Sequence, residues 1–244
     1  MNNAKHTLHP NCITGFVDGE GCFTIKLWEN KSSKTGWYVQ AIFQVGLHVR
    51  DKDLLLQFKS FFKEIGNIKA YNNIIYYRVI KIDDIIKIII PHFEKYPLMT
   101  QKQTDFLLWK NIVNLIDKGE HLNKEGLIKV INLKASLNKG VSNKLKIHFP
   151  NTVKVIRSEK NLPVKIDSHW IAGFFSGEGC FFINICKATD YKIGYSINLQ
   201  IICSQHSRDK ILLDNLTDIL KCGNVFKHSK RNTISLVISN FEDI

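Results

Sequence analysis

Apolar and polar positions along the chain alternate in two distinct rhythms. Phe23, Ile25 and Leu27 are separated by Thr24 and Lys26, and Val39, Ala41, Phe43 and Val45 are separated by Gln40, Ile42 and Gln44. A period near two predicts strands over 23–30 and 37–45, each with one face toward a core. The polar run NKSSKTG between them reads as a turn. From 51 to 65 the rhythm changes: apolar residues fall at 54, 55, 58, 61, 62 and 65, one face of a helix. Two further strands are expected over 68–71 and 74–82 around an Asn-Asn turn, and a short helix over 83–94. A longer helix begins in YPLMTQKQTDFLLWKNIVNLI, with Thr100 and Gln103 as a capping box. At the front, Asn11 is placed to cap a helix over 12–19. The unit reads α-β-β-α-β-β-α, with an extra helix over 122–138.

The unit is written twice. GFVDGEGCF at 15–23 returns as GFFSGEGCF at 173–181, 158 residues later. The same offset joins Gly36 to Gly194, His48 to His206, and the Arg-Asp-Lys at 50–52 to that at 208–210. It slips by one residue at the Gly-Asn pairs 66–67 and 223–224, as independent loops in a duplicated fold would allow. Residues 1–138 are therefore read as an N-terminal repeat, 139–168 as a linker and 169–244 as a C-terminal repeat. The second repeat reads as truncated before its closing helices, which would leave the inner face of its sheet partly uncovered.

Composition narrows the function. The chain has 244 residues, 44% hydrophobic and 23% charged, enough for two domains with cores. No apolar run is long enough to span a membrane, and the N-terminus lacks the marks of a secretory or transit peptide. The net charge is +12, an excess that points to a polyanionic partner. Nucleic acid suits it better than a membrane surface, because no basic amphipathic helix stands out. Arginine occurs at only five positions, while lysine, asparagine and isoleucine are heavily used, the bias of AT-rich coding DNA in many organelle genomes. The six cysteines show no metal-ligand spacing and read as small buried hydrophobes in a reducing compartment.

The repeated segment carries the chemistry. Gly15 and Gly19 lie four apart on one helix face, and Gly173 and Gly177 repeat this. Paired glycines cost helix stability and are expected where two helices approach backbone to backbone. If the two copies pack on each other about a pseudo-twofold axis, Glu20 and Glu178 meet at one spot, each at the negative end of a helix. Two like charges there call for a cation, and hard oxygen ligands suit Mg²⁺. Such a centre can activate water and steady a leaving oxygen in phosphodiester cleavage. On the strands, Thr24, Lys26, Trp28, Asn30, Tyr38, Gln40 and Gln44 would face outward. So would Phe182, Asn184, Ser196, Asn198 and Gln200 in the second repeat. Lys69, Tyr71, Tyr76 and Arg78, with His228, Lys230 and Ser235, would extend that surface. Amide, lysine and arginine side chains on a sheet are what base reading in a major groove needs. Paired carboxylates also serve glycosidases, but the basic excess and the lack of an aromatic-lined groove argue against that reading.

The segments ITGFVDGEG (13–21) and IAGFFSGEG (171–179) resemble the two signature motifs of LAGLIDADG homing endonucleases. HFEKYPLMTQKQTDFLLWK (92–110) and EHLNKEGLIKVINLKASLNKG (120–140) also resemble the single-chain, two-repeat branch encoded in fungal mitochondrial introns. The resemblance implies an α+β fold: two pseudo-symmetric αββαββα units forming a saddle of antiparallel sheets, with the signature helices packed at its centre. It implies a monomer that makes site-specific double-strand breaks in a long DNA target, leaving 3′ overhangs. It also implies Mg²⁺ dependence, with Ca²⁺ or Mn²⁺ able to occupy the site and Ca²⁺ non-catalytic, and location in the mitochondrion. By motif position Glu20 and Glu178 are the catalytic, metal-binding acids, with Gly19 and Gly177 beside them in the metal site. Gln205 takes the place of a polar residue at the end of the second strand, where the first repeat has Leu47 followed by His48. Lys102 takes the place of a catalytic lysine, whose counterpart would lie past Ile244. An RNA maturase that helps its host intron RNA fold is the alternative within the same family; intact Glu20 and Glu178 favour the nuclease.

Overall fold

The computed structural model describes residues 8–158, 165–229 and 231–244, so Lys230 lies outside the described residues. The first repeat runs α1 (Pro10–Glu20), β1 (Gly21–Glu29), β2 (Trp37–His48), α2 (Lys52–Phe61), β3 (Asn67–Tyr71) and β4 (Ile74–Val79). Then come α3 (Ile82–Asp84) and α4 (Ile90–Lys95), joined by a wider helical turn over Ile85–Ile89, followed by α5 (Lys102–Asp117), α6 (Lys124–Ser136) and the short α7 (Asn143–His148). The second repeat contains α8 (Ser168–Glu178), β5 (Gly179–Lys187), β6 (Tyr195–His206), α9 (Lys210–Leu220), β7 (Asn224–Lys227) and β8 (Thr233–Ile238). Each repeat builds one antiparallel sheet, ordered β1-β2-β4-β3 and β5-β6-β8-β7. The duplication holds to the register: Cys22 pairs with Gln44 and Gln44 with Arg78, just as Cys180 pairs with Ile202 and Ile202 with Val237. This is an α+β fold of two pseudo-symmetric units. Among the described residues, no helix is long and apolar enough to cross a membrane.

Local chemistry moves several boundaries. The cap of α1 is His9, not Asn11: Pro10 starts the helix, and the Asn11 amide donates to His9 Nδ1 at 3.3 Å. The Thr100–Gln103 capping box does not form. Gln101 holds the N-cap position of α5 without a side-chain bond, and the Thr100 hydroxyl donates to Asp18 instead. Asn30 lies just past β1, where its Oδ1 accepts from the Ser32 amide in the turn. α2 stops at Phe61, because Lys63 and Glu64 both adopt positive φ and turn the chain. Within 139–168, Ser142 caps α7, and Leu145 on it is buried against the first core. The cysteines depart from expectation: Cys203 is buried, but Cys180 and Cys186 are exposed, the latter two on the outer side of β5.

The two sheets are covered differently. Phe23 on the inner face of the first sheet meets Phe93 of α4 and Phe106 of α5 edge-on, with ring centroids 5.2 Å apart in each case. The edge strand β1 is closed by side chains: Trp109 Nε1 donates to Thr24 O and Asn138 Nδ2 to Phe23 O. Phe23 is 1% exposed; its counterpart Phe181 is 78% exposed, and Ile183, Ile185 and Ile197 beside it are likewise open. The second core gathers instead between α8, α9 and β8, around Trp170, Phe174, Leu212, Leu213, Leu216 and Leu236.

Candidate active site

α1 and α8 cross at the centre through their glycines. A Cβ added at Gly15 would fall 2.0 Å from Trp170 O, and one at Gly173 would fall 2.0 Å from Cys12 O. The approach is therefore backbone against backbone and the same from either side. One turn on, Gly19 faces Gly177, with the Glu178 Cγ 3.0 Å and the Glu20 Cγ 3.5 Å from the positions a Cβ would take at Gly19 and Gly177. Glu20 and Glu178 end their helices and so converge across the glycine seam. Burial pushes the Glu20 carboxyl above its ordinary range, and the Glu178 charge pushes it further, against an opposing pull from Lys102.

Lys102, the first residue of α5, reaches into this centre. Its Nζ donates to Val17 O at 2.9 Å and Gly19 O at 2.8 Å, carbonyls in the last turn of α1 at the negative end of the helix. Burial lowers its pKa, while Asp18, Cys22, Glu178 and Glu20 act to raise it. The start of α5 is fixed from both repeats. Asp18, buried and 2% exposed, accepts from Met99 N at 2.7 Å, Thr100 N at 3.1 Å, Thr100 Oγ1 at 2.6 Å and Trp170 Nε1 at 2.9 Å. Burial raises the Asp18 pKa, and the Thr100 and Met99 hydrogen bonds and the Lys102 charge pull it back. From the second repeat, Asp209 Oδ1 accepts from the Gln101 amide at 2.9 Å. Arg157 bonds Thr104 Oγ1, Ser136 O and the Asp105 carboxylate, strapping the inter-repeat segment onto α5.

Asp18, Asp209 and Arg157 are the supporting residues that motif reading passed over. Asp18 did carry a signal: it is the position where the two nine-residue copies change character, to Ser176, which is exposed and, among the described residues, bonds back to Ala172 O within its own helix. Gln205 sits on β6 opposite Ile234, two residues beyond Cys203. Burial, with the Glu178 charge behind it, pushes the Cys203 thiol up to about 12.

The outer sheet faces present a mixed surface. Across the first sheet run the pairs Thr24–Ile42, Lys26–Gln40 and Trp28–Tyr38, the last with rings 4.5 Å apart and both exposed. Lys69 pairs with Tyr76, and Tyr71 with Ile74. The corresponding pairs in the second sheet are Phe182–Gln200, Asn184–Asn198 and Cys186–Ser196. Ser235 is covered: it is 3% exposed and bonded to Ser204 and to His228 Nε2, so His228 is the group presented to solvent there. At the opposite end of the helix pair, His9, Asp167 and His169 cluster with the imidazoles stacked at 3.8 Å. His9 Nδ1 and Asp167 Oδ1 already cap the two helices, and two positive helix ends disfavour a cation at that spot. The oxygen set at Glu20 and Glu178 is the better fit to a hard divalent ion: two crowded carboxylates at two negative helix ends.

Residues 13–113 and 171–244 match the LAGLIDADG endonuclease family. Two Neurospora crassa proteins, probable intron-encoded endonucleases 3 and 2, are 38% and 36% identical over 99% and 97% of this chain. The chain spans about half the length of these curated relatives, 46% and 54%. Among solved structures, the I-SmaMI LAGLIDADG homing endonuclease bound to cleaved DNA superposes with a TM-score of 0.94 at 39% identity, covering 97% of this chain and 79% of that one. I-SmaMI has also been solved on uncleaved target DNA with calcium ions, with a TM-score of 0.92. By family match and by architecture, the chain belongs to the LAGLIDADG endonucleases.

Proposed function

We propose that the protein is a monomeric, site-specific endonuclease that hydrolyses both strands of a long double-stranded DNA target and leaves 3′ overhangs, with Mg²⁺ as its metal. The observation that carries this reading is the pair Glu20 and Glu178, converging beyond a glycine seam beside Lys102. Glu20 and Glu178 would hold the divalent ions, next to the Gly19 and Gly177 backbone. When bound, such ions lower the pKa of coordinated water and stabilise a leaving oxygen. Lys102 offsets negative charge at the end of α1 and keeps Gly19 in place. The outer strand faces seat the duplex, and the net charge of +12 supplies the attraction to phosphate. Gln205 serves the second half-site. In the first, Leu47 packs against the core, so that half-site draws its polar contact from elsewhere. Location in the mitochondrion follows the fungal, intron-encoded character of the relatives and the codon-driven composition.

The test is a randomised plasmid library challenged with the protein in Mg²⁺. Cutting at a defined site should be lost in Glu20→Gln and in Glu178→Gln, while both variants still bind that site in EDTA or Ca²⁺. Either variant linearising target at the parent rate would refute the assignment. Tight binding of intron RNA with no DNA cut would transfer the protein to the maturase reading.

A further inference from the structure

Among the described residues, Arg78 is held unlike any other cation on the outer sheet faces. Its guanidinium lies 4.2 Å from the centroid of Tyr76 and 5.5 Å from that of Tyr71. Its Nε donates to Gln44 Oε1 at 3.0 Å, across the β2–β4 pairing. Gly46 makes this platform possible. It pairs with Tyr76, and a Cβ there would come 2.7 Å from the Tyr76 ring, so the ring lies flat across β2 only because no side chain is present. Among the described residues no carboxylate pairs with Arg78, and neither Nη group has a hydrogen-bond partner. The stem is fixed by stacking and by the Nε bond, and two parallel N–H vectors remain for an outside acceptor. A phosphate-steering lysine needs no such orientation; a base edge with two acceptors in a row does, and in the major groove that is guanine, through O6 and N7.

The second repeat lacks the device. At the matching register Ile202 pairs with Val237 in place of Gln44 with Arg78, and the Gly46–Tyr76 pair becomes Ser204–Ser235. An aliphatic pair offers no donor to guanine and fits a thymine methyl. Resting on the nuclease reading above, we propose that Arg78 reads one guanine in the half-site bound by the first repeat, and that the pseudo-symmetric position of the other half-site carries no guanine requirement.

The test is selection from a randomised duplex library, with bound duplexes recovered in Ca²⁺ and cut duplexes in Mg²⁺. The protein is compared with Arg78→Ala, Arg78→Lys and Tyr76→Leu, each checked by circular dichroism. The parent should prefer guanine at one base pair by about 10- to 100-fold, the discrimination a bidentate contact gives. Arg78→Ala should level the four bases at that pair and leave the others unchanged. Tyr76→Leu should weaken the same pair alone, and Arg78→Lys should retain part of the preference. If Arg78→Ala fails to fold, the other two variants carry the comparison. An unchanged profile in the variants overturns the proposal, as does a uniform loss of affinity with a shallower salt slope, which would mark a phosphate contact. Both outcomes leave the nuclease reading standing, whereas a parent protein that selects no DNA in either arm overturns the two together.

Discussion

Gly15→Ala isolates the packing on which the active site rests. The new methyl would sit 2.0 Å from Trp170 O, 2.8 Å from Phe174 N and 2.9 Å from Trp170 C, all backbone atoms of α8. No side chain can swing aside, so the helices must part by roughly 1.4 Å to restore ordinary van der Waals contact. Overpacking of this kind costs about 1–3 kcal/mol, and rigid backbone on the far side places it at the upper end. Alanine returns about 1 kcal/mol of helix propensity, leaving a net loss of about 2 kcal/mol. The effect on chemistry should exceed the effect on folding. Glu20 and Glu178 end the two displaced helices, and a misplacement near 1 Å can cost about 10²-fold in rate. Urea denaturation and single-turnover cleavage of target DNA measure the two separately. Gly173→Ala should behave the same way, since its methyl would meet Cys12 O at 2.0 Å. Gly177→Ala is the control on the same seam: its nearest atom is Phe16 O at 3.4 Å, so it should keep the parent's stability in urea. Gly15→Ala cutting at the parent rate, or Gly177→Ala losing as much stability as Gly15→Ala, would refute the steric reasoning.

Asp18→Asn should destabilise the protein by about 3 kcal/mol in urea titration, because one amide –NH₂ must face donors that now share a carboxylate oxygen. His92 is buried against Thr14, and burial holds its pKa down at about 4 from an ordinary 6.5. The unfolded chain therefore takes up the proton first: stability is full above pH 6.5 and should fall by about 3 kcal/mol as pH drops toward 4, a slope that His92→Phe should flatten. Lys102→Met should slow cleavage about 10²-fold, as loss of one preorganised charge commonly does, with target affinity in Ca²⁺ unchanged. Affinity for target DNA should drop steeply between low and moderate salt, and a flat response would detach the +12 charge from DNA binding.

The strands and the repeat were legible because their signal is local. Inward apolar residues recur every second position, and a duplicated register keeps both copies in phase, so β1, β2 and β4 fell within a few residues of expectation. Cap chemistry failed where a tertiary partner competed. Thr100 has the right residue type and spacing for a capping box, but a buried carboxylate 82 positions away takes its hydroxyl. Ser235 alternates correctly for an outward position, and only the fold shows His228 lying over it. The same limit applied to the site. Glycine spacing placed Glu20 beside Glu178, because helix geometry converts sequence distance into a face. No periodicity could bring Lys102 to the end of α1, and only resemblance supplied it.

The unequal divergence of the two copies carries the functional argument further than their likeness does. The seam is preserved on both sides: Gly15 and Gly173 are interchangeable by contact, and each glutamate ends its helix one residue beyond a glycine. Around the seam symmetry is abandoned. Asp18 anchors the start of α5, while Ser176 bonds back into its own helix; Arg78 stands on a tyrosine platform, while Val237 has none. A purely structural duplication gives no reason for outer-face positions at the same register to differ in chemistry. A molecule that applies one chemistry to two different half-sites has the opposite requirement: a fixed centre between two independent reading surfaces. The Ile202–Val237 pair replacing Gln44–Arg78 is the sharpest instance, because it changes the outer face while leaving the inner register intact.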